Sequence, residues 1–165
     1  MKKKILFLAL TLVSYIGISA QNNDSIAPQG GFVFPFGIKV IIRLEPIDSV
    51  NFNYSVVKSE KIAEMIDNYD NDHYFSEKLD DNCIEFLFCG GTHGDSREEK
   101  QANYQTLLIL KNGTKYKLSY KADIKIDQTE KLVSTSVVDL FSRVKSKEIW
   151  PYKVDLIALH DFRKK

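Results

Sequence analysis

The 165-residue sequence predicts a mainly β (or α+β) protein with a single domain, an antiparallel, β-sandwich-like fold of about six to eight strands. Several segments alternate apolar and polar side chains with a period of two, which is the pattern of half-buried strands. Strands and helices show no regular alternation, so a parallel, doubly wound sheet is not expected. Ten Phe and eight Tyr beside only four Pro are typical of a packed globular domain.

The N-terminus has the three parts of a secretory signal peptide. Lys2–Lys4 form a positive region, Ile5–Ile18 is an almost uninterrupted apolar run, and Ser19-Ala20 places small residues before a cleavage position. The apolar run is shorter than the roughly 20 residues that a membrane-spanning helix needs. We therefore expect a bacterial leader over residues 1–20 and an exported protein that is periplasmic or secreted.

After the leader, the sequence predicts a flexible lead-in over residues 21–31 and one β-rich globular domain over residues 32–165. Removing the three leader lysines leaves 20 basic and 22 acidic residues. This near-neutral balance gives no electrostatic case for a nucleic-acid partner. No second long apolar run follows, so we expect no membrane span once the leader is removed.

The first half of the domain is predicted to contain an edge strand, a hairpin and a helix. Aromatic residues at a spacing of two over residues 32–36 indicate a short edge strand, where Pro35 is tolerated. Alternation over residues 38–45 and 50–56 predicts a hairpin. Apolar residues then fall at helical spacing, with Ser59 as the N-cap, so the period predicts a short amphipathic helix near residues 59–69. Its apolar positions are Ile62, Met65, Ile66 and Tyr69.

The second half is predicted to begin with a strand over Asn82–Cys89, followed by a long exposed loop over residues 90–103. The strongest local signal follows, because Asn112-Gly113 supplies the two residues that a type I′ turn prefers. It predicts a hairpin between Leu107–Lys111 and Lys115–Tyr120.

Three weaker patterns complete the chain. Residues 123–126 continue the preceding strand, and helical spacing predicts a short helix near residues 136–143. Trp150-Pro151 marks a corner, and Val154–Phe162 is predicted as the final strand.

The two cysteines of an exported protein suggest a disulfide, but their spacing opposes one. If Cys83 and Cys89 lie on one strand, they are roughly 20 Å apart, whereas a disulfide needs Cα atoms within about 7 Å. The apolar residues between them favour the strand, and therefore two free thiols that pack as small hydrophobic groups. An internal or an intermolecular disulfide is the alternative.

Reactive side chains are densest in and beside the Cys89–Asp95 loop, which brings together Cys89, Thr92, His93, Asp95 and Ser96. A metal centre would need about four converging ligands, and only two or three are in view. Nucleophilic catalysis would need a base in hydrogen-bond contact and a third group to orient it. The ordinary interpretation is an exposed loop whose glycines serve turn geometry, so the sequence assigns no catalytic, cofactor-binding or metal-ligating residue and no cofactor.

These observations lead to the expectation of an exported, non-catalytic β-rich domain that binds a protein or other partner in the bacterial cell envelope. Its binding surface would be the 90–103 loop or an open sheet edge. The alternative is a small metal-dependent or thiol hydrolase centred on the Cys89–Asp95 loop. The sequence does not specify the oligomeric state.

Overall fold

The computed structural model describes residues 32–62, 65–126 and 130–165. The predicted leader (1–20) and lead-in (21–31) lie outside these ranges. Within them the chain forms one α-helix, α1 (Arg97–Ala102), one 3₁₀ helix (Asp72–Tyr74) and ten strands. The strands are β1 (Val33–Pro35), β2 (Ile38–Pro46), β3 (Asn51–Lys61), β4 (Met65–Asp67), β5 (Cys83–Thr92), β6 (Gln105–Asn112), β7 (Leu118–Ile126), β8 (Val133–Thr135), β9 (Lys145–Trp150) and β10 (Val154–Lys164).

All ten strands belong to one sheet. Its main path runs β8-β7-β10-β3-β2-β5-β6-β9, with β1 added to β10 and β4 added to β5. The β4–β5 pair is parallel and the other pairs are antiparallel. The predicted mainly β, antiparallel, single-domain fold class is therefore confirmed, with one sheet in place of two stacked ones.

The sheet curls until its two ends meet along a seam. Bulges in the β2–β3 and β7–β10 pairs bend the strands, as an extra residue on one side of a ladder does. At the seam, Trp150 Nε1 of β9 donates to Thr135 Oγ1 of β8 over 3.2 Å. Close by, the Val138 amide donates to Glu148 Oε1 over 2.7 Å.

The curl gives the sheet an inner face, where the main core lies. Side chains from almost every strand meet there, and the largest of the fully buried ones include Phe86, Phe88 and Phe162. Edge-to-face contacts join Phe34 to Phe86 and Tyr54 to Phe162, with ring centroids 5.0 and 5.6 Å apart. The predicted strand over residues 32–36 is thus confirmed as β1, and its middle aromatic residue is part of the core.

A second, smaller core lies on the outer face of β5 and β6. Residues 68–82, which we call the crossing segment, run over this face between β4 and β5. Apolar side chains of β4 and of the crossing segment cover apolar side chains of the two strands: Ile66, Phe75, Leu87, Cys89, Leu107 and Ile109. Because both of its faces are covered, β5 is buried along all ten residues.

The helix predicted near residues 59–69 is wrong. Residues 59–61 continue β3 in register with β2, and Met65–Asp67 form β4. Of the four apolar positions, Ile66 packs into the outer core, whereas Met65 and Tyr69 are exposed. Tertiary pairing with β2 and β5 therefore overrides the local period.

The hairpin predicted at Asn112-Gly113 is also wrong. β6 pairs with β5 and β9, whereas β7 pairs with β10 and β8. The buried Asn112 side chain instead donates to the carbonyls of Tyr116, Leu140 and Phe141 and accepts from the Thr114 amide. Gly113 is needed for close packing, because an added Cβ would lie 2.7 Å from the Asp80 carbonyl oxygen.

Three further predictions are confirmed, and two are wrong in whole or in part. The hairpin of β2 and β3, the strand over Asn82–Cys89 and the final strand are confirmed. The predicted helix near 136–143 is wrong, since these residues are irregular apart from a bridge between Leu140 and Leu118. The predicted loop 90–103 is exposed over residues 94–102 as expected, but it is not irregular throughout, because β5 extends to Thr92 and Arg97–Ala102 is helical. Neither helix in the described ranges has the length and apolar character needed to cross a bilayer.

Candidate functional site

The reactive residues of the Cys89–Asp95 loop are separated by the fold. Cys89 lies within β5, is 0 % exposed, and packs in the outer core. Burial raises the pKa of its thiol to about 12, so the nucleophilic thiolate is scarce at neutral pH. His93 lies beyond the end of the strand, four residues and roughly 13 Å along the backbone from Cys89. Cys83 is also buried, and both thiols are free, as expected for two cysteines on one strand.

Ser96 and its neighbours form the N-terminal cap of α1. Ser96 Oγ accepts from the Glu99 amide over 3.1 Å, and Glu99 Oε2 accepts from the amides of Ser96 and Asp95. These reciprocal bonds are a capping box, which satisfies amides that the helix itself cannot. Thr92 Oγ1 donates to the Lys100 carbonyl and so attaches the helix to β5. These hydroxyls therefore serve local structure.

His93 belongs to a different group, which sequence reasoning missed. Its Nδ1 lies 3.2 Å from Nδ2 of Asn68, the first residue of the crossing segment. Because an amide nitrogen only donates, this contact puts the proton of the neutral imidazole on Nε2. Asn68 Nδ2 also donates to Gln105 Oε1 over 3.1 Å. His93 thereby fastens the start of the crossing segment to the sheet.

Tyr69, next to Asn68, is an aromatic side chain held in place although it is 79 % exposed. Its ring meets the His93 ring edge to face, with centroids 5.4 Å apart. Its amide donates to Asp67 Oδ1 over 2.7 Å, and Asp67 Oδ1 also accepts from the Asp70 amide. These two amides lower the pKa of the Asp67 carboxyl, so the turn that presents Tyr69 is anchored by a carboxylate at neutral pH.

Lys147 and Ile149 of β9 extend this area. Lys147 Nζ lies 5.9 Å from the centroid of the Tyr69 ring and donates to the Asn68 carbonyl. Burial lowers the pKa of Lys147, with a smaller contribution from the charge of Lys145. Ile149 follows on the same face of β9 and is 49 % exposed. We call Tyr69, His93, Lys147 and Ile149 the Tyr69 surface.

Three lysines on the outer face fix the crossing segment along its length. In addition to Lys147, Lys145 Nζ donates to Asn71 Oδ1 over 2.8 Å and pairs with Asp72. Lys111 Nζ donates to the Ser76 carbonyl over 2.6 Å. The lysines come from β6 and β9, whereas their acceptors all lie in the crossing segment. The segment that carries Tyr69 is therefore held against the sheet by these lysines and is not a free loop.

Glu85, on the outer face of β5, is the one carboxylate in the described residues that is completely buried. Its Oε1 lies 3.1 Å from Lys39 Nζ, and its two oxygens accept from the Ser76 amide and hydroxyl, each over 2.9 Å. The pairing and the hydrogen bonds compensate for the loss of water. Glu85 thus holds the middle of the crossing segment at Ser76, and its complete burial closes it off from any ligand.

Asp123, His160 and Ser134 form a cluster at the β8 end of the sheet. Asp123 accepts from Ser134 Oγ over 2.6 Å, and its other oxygen lies 3.1 Å from His160 Nε2. The carboxylate stands between the hydroxyl and the imidazole, so the histidine is not placed to take the serine proton, as a nucleophilic triad requires. In the part of the chain that the structure describes, no three His, Cys, Asp or Glu side chains converge as a metal site.

Some of the residues that sequence reasoning missed belong to a recognisable sequence pattern, and others do not. Ser96-Arg97-Glu98-Glu99 fits the capping-box pattern and was sufficient to predict α1. Tyr69 carried the wrong signal, because it completed an apparent helical stripe. Lys147 lies far from Tyr69 in sequence, and only the sheet order brings them together.

No protein-family model matches the chain, and no similarity to a curated protein or a solved structure reaches significance.

Proposed function

We propose that this chain is an exported, non-catalytic β-rich domain that binds a protein partner in the bacterial cell envelope, and that the Tyr69 surface is where the partner docks. The observation that carries the proposal is a tyrosine that is 79 % exposed and yet held on several sides. His93 supports its ring, Asp67 holds its amide, and Lys147 lies over the ring.

A fixed, exposed aromatic residue has the properties of a binding anchor. Tyrosine supplies a large amphipathic contact area with few rotatable bonds, and it is enriched among the residues that dominate protein interfaces. Ordering such a side chain before binding lowers the entropy lost in the complex. Ile149 adds an apolar neighbour, and Lys147 adds a cation beside the ring. This combination suits a protein surface that has an apolar pocket with acidic groups at its rim.

The hydrolase alternative receives less support from the same geometry. Its thiol nucleophile, Cys89, is buried beneath the crossing segment with a raised pKa. Its base, His93, uses Nδ1 in the contact with Asn68 and packs against Tyr69. Because Cys89 is 0 % exposed, a substrate cannot reach its thiol in this arrangement. We therefore retain the binding domain as the proposed function.

Export is supported by the sequence of the leader and is tested by the intact mass of the protein recovered from its cell envelope. A mass that corresponds to residues 21–165 with two free thiols would support cleavage after Ala20. A mass that includes residues 1–20 would contradict the proposed export signal.

The docking surface is tested by a photo-crosslinking amino acid placed at Tyr69 in the full chain, expressed in its own host. Ile47 is the matched control position, because it is 59 % exposed and lies just beyond β2 at the turn of the β2–β3 hairpin. We expect one discrete adduct from position 69 and not from position 47. Excess purified wild-type protein should compete with it, whereas Tyr69→Ala protein should not.

Truncation of an interface anchor costs about 2 kcal/mol or more, so Tyr69→Ala should bind the captured partner at least roughly 30-fold more weakly. Its thermal stability should stay close to that of the wild type, since the side chain is mostly exposed. The docking surface would be refuted if positions 69 and 47 gave the same adducts. It would also be refuted if Tyr69→Ala protein competed for the adduct as well as wild-type protein does.

A further inference from the structure

A second surface, separate from the Tyr69 surface, has the features of a small-ligand site. A recess of about 590 Å³ opens between β4 and α1. Its floor includes Met65 of β4, Thr92 of β5 and Tyr104, which directly precedes β6. Because β4, β5 and β6 are neighbours in the sheet, these positions form one continuous surface. The volume lies within the usual range for pockets that bind small molecules.

The helix α1 gives the recess a basic wall. Arg97 and Lys100 are three residues apart and both line the recess, whereas Glu98 and Glu99 of the same helix do not. Neither cation forms an ion pair within 4.0 Å among the described residues. Among the described residues that line the recess, Asp95 is the one carboxylate, so two cations stand against one anion there.

The apolar floor has no cover in the described structure. Met65 is 44 % exposed, although a methionine side chain gains free energy by leaving water. Methionine is also flexible and polarisable, which suits a surface that adapts to an apolar ligand. An apolar floor beside a wall with excess positive charge is complementary to a molecule with an apolar body and one negative end.

We propose that this recess binds a small organic carboxylate with an apolar body. The carboxylate lies between Arg97 and Lys100, and the body lies over Met65 and Tyr104. Arg97 presents a planar fork that matches both carboxylate oxygens, and Lys100 adds a point charge. The site is independent of the proposed partner at the Tyr69 surface.

The test is calorimetric titration of the full exported protein with sodium decanoate, and with 1-decanol as an uncharged probe of the same chain length. The variant is Arg97→Gln with Lys100→Gln, which removes both charges and keeps helix-compatible side chains. Glu98→Gln is the matched control, because it removes a charge from α1 outside the recess. The melting temperature of each variant verifies that the fold is retained.

We expect decanoate to bind saturably and more tightly than decanol. The double variant should bind decanoate about tenfold more weakly, as the loss of two exposed charge contacts implies, and its affinity for decanol should not change. Glu98→Gln should bind both probes within about twofold of the wild type. The proposal is overturned if decanoate does not saturate, or if the folded double variant binds decanoate as well as the wild type.

Discussion

Glu85 on the outer face and Glu148 at the seam are two carboxylates that the same sheet removes from water, and they differ in the partners they meet. Glu85 is fully buried with a lysine and two hydrogen-bond donors from Ser76. Glu148 is partly buried and accepts one amide hydrogen bond, from Val138, and burial raises the pKa of its carboxyl. The outer face compensates its buried charge, whereas the seam does so only in part.

Tyr120 shows the same incomplete compensation. Its ring stacks on Phe162 with centroids 5.6 Å apart. Its buried hydroxyl has no hydrogen-bond partner of good geometry among the described residues, although the charge of Glu148 is near enough to raise its pKa further. Burial is the larger cause of that shift. The comparison teaches that Lys39 and Ser76 compensate the buried charge of Glu85 well, whereas the polar groups of Glu148 and Tyr120 at the seam are compensated only in part.

The largest effect on stability is expected from Glu85→Ala, which removes the buried carboxylate that has the more complete set of partners. This change leaves Lys39 without its buried partner and Ser76 without an acceptor, so the free energy of unfolding should fall by about 3 kcal/mol. Urea denaturation measures it. Glu60→Ala is the control, because Glu60 also pairs with Lys39 but is exposed, and its loss should matter little. If Glu85→Ala and Glu60→Ala lowered the free energy of unfolding equally, the burial of Glu85 would not be the cause of the loss.

A smaller effect of opposite sign is expected at the seam from Glu148→Gln. A raised pKa means that the folded protein binds the proton more tightly than the unfolded chain, so wild-type stability is lost as pH rises above about 4.5. The amide removes this penalty and keeps the acceptor for Val138. We expect the variant to gain up to about 1 kcal/mol at pH 7, after allowance for partial exposure, and nothing at pH 3.5. Denaturation at the two pH values checks it, and a gain that does not depend on pH would contradict a titration origin.

The smallest effect is expected from Tyr120→Phe, which removes the poorly partnered hydroxyl and keeps the stacked ring. Deletion of a buried hydroxyl that has no hydrogen bond removes its desolvation penalty, so the free energy of unfolding should rise slightly, by up to about 0.5 kcal/mol. Chemical denaturation at pH 7 measures the change. A loss above about 1 kcal/mol would reveal a real hydrogen bond between Tyr120 and Glu148.

Sequence reasoning predicted two kinds of element correctly. The first is a pair of strands that are neighbours both in the sequence and in the sheet, and the second is a strand whose alternating pattern fits no other structure. The β2–β3 hairpin is of the first kind, and the strand through Cys83 and Cys89 is of the second. The errors arose where distant segments compete with local signals. Asn112-Gly113 is a good hairpin turn by composition, yet the Asn112 side chain binds carbonyls 28 and 29 residues away. Gly113 packs under Asp80 and Cys83.

The candidate site was less accessible to sequence reasoning than the fold. The sequence places His93 beside Cys89 only in the alternative hydrolase hypothesis, because the two residues are close in sequence. The neighbours that His93 has in the structure, Asn68 and Tyr69, are separated from it by 25 and 24 positions. The parallel β4–β5 pair brings them together, since Asp67 is opposite Thr92. Parallel pairing between distant segments leaves no local pattern that reasoning from one sequence can detect.

The place of β10 in the sheet has a consequence for how the chain acquires its structure. Among the described strands, β10 lies between β7 and β3 and also pairs with β1, so it joins segments that are far apart in the sequence. Before β10 pairs, the strands on either side of it lack the ladder that connects them. Such non-local pairing also slows folding. Pairing of segments that are neighbours in the sequence therefore cannot complete this sheet, and its assembly depends on β10 taking its place between β7 and β3.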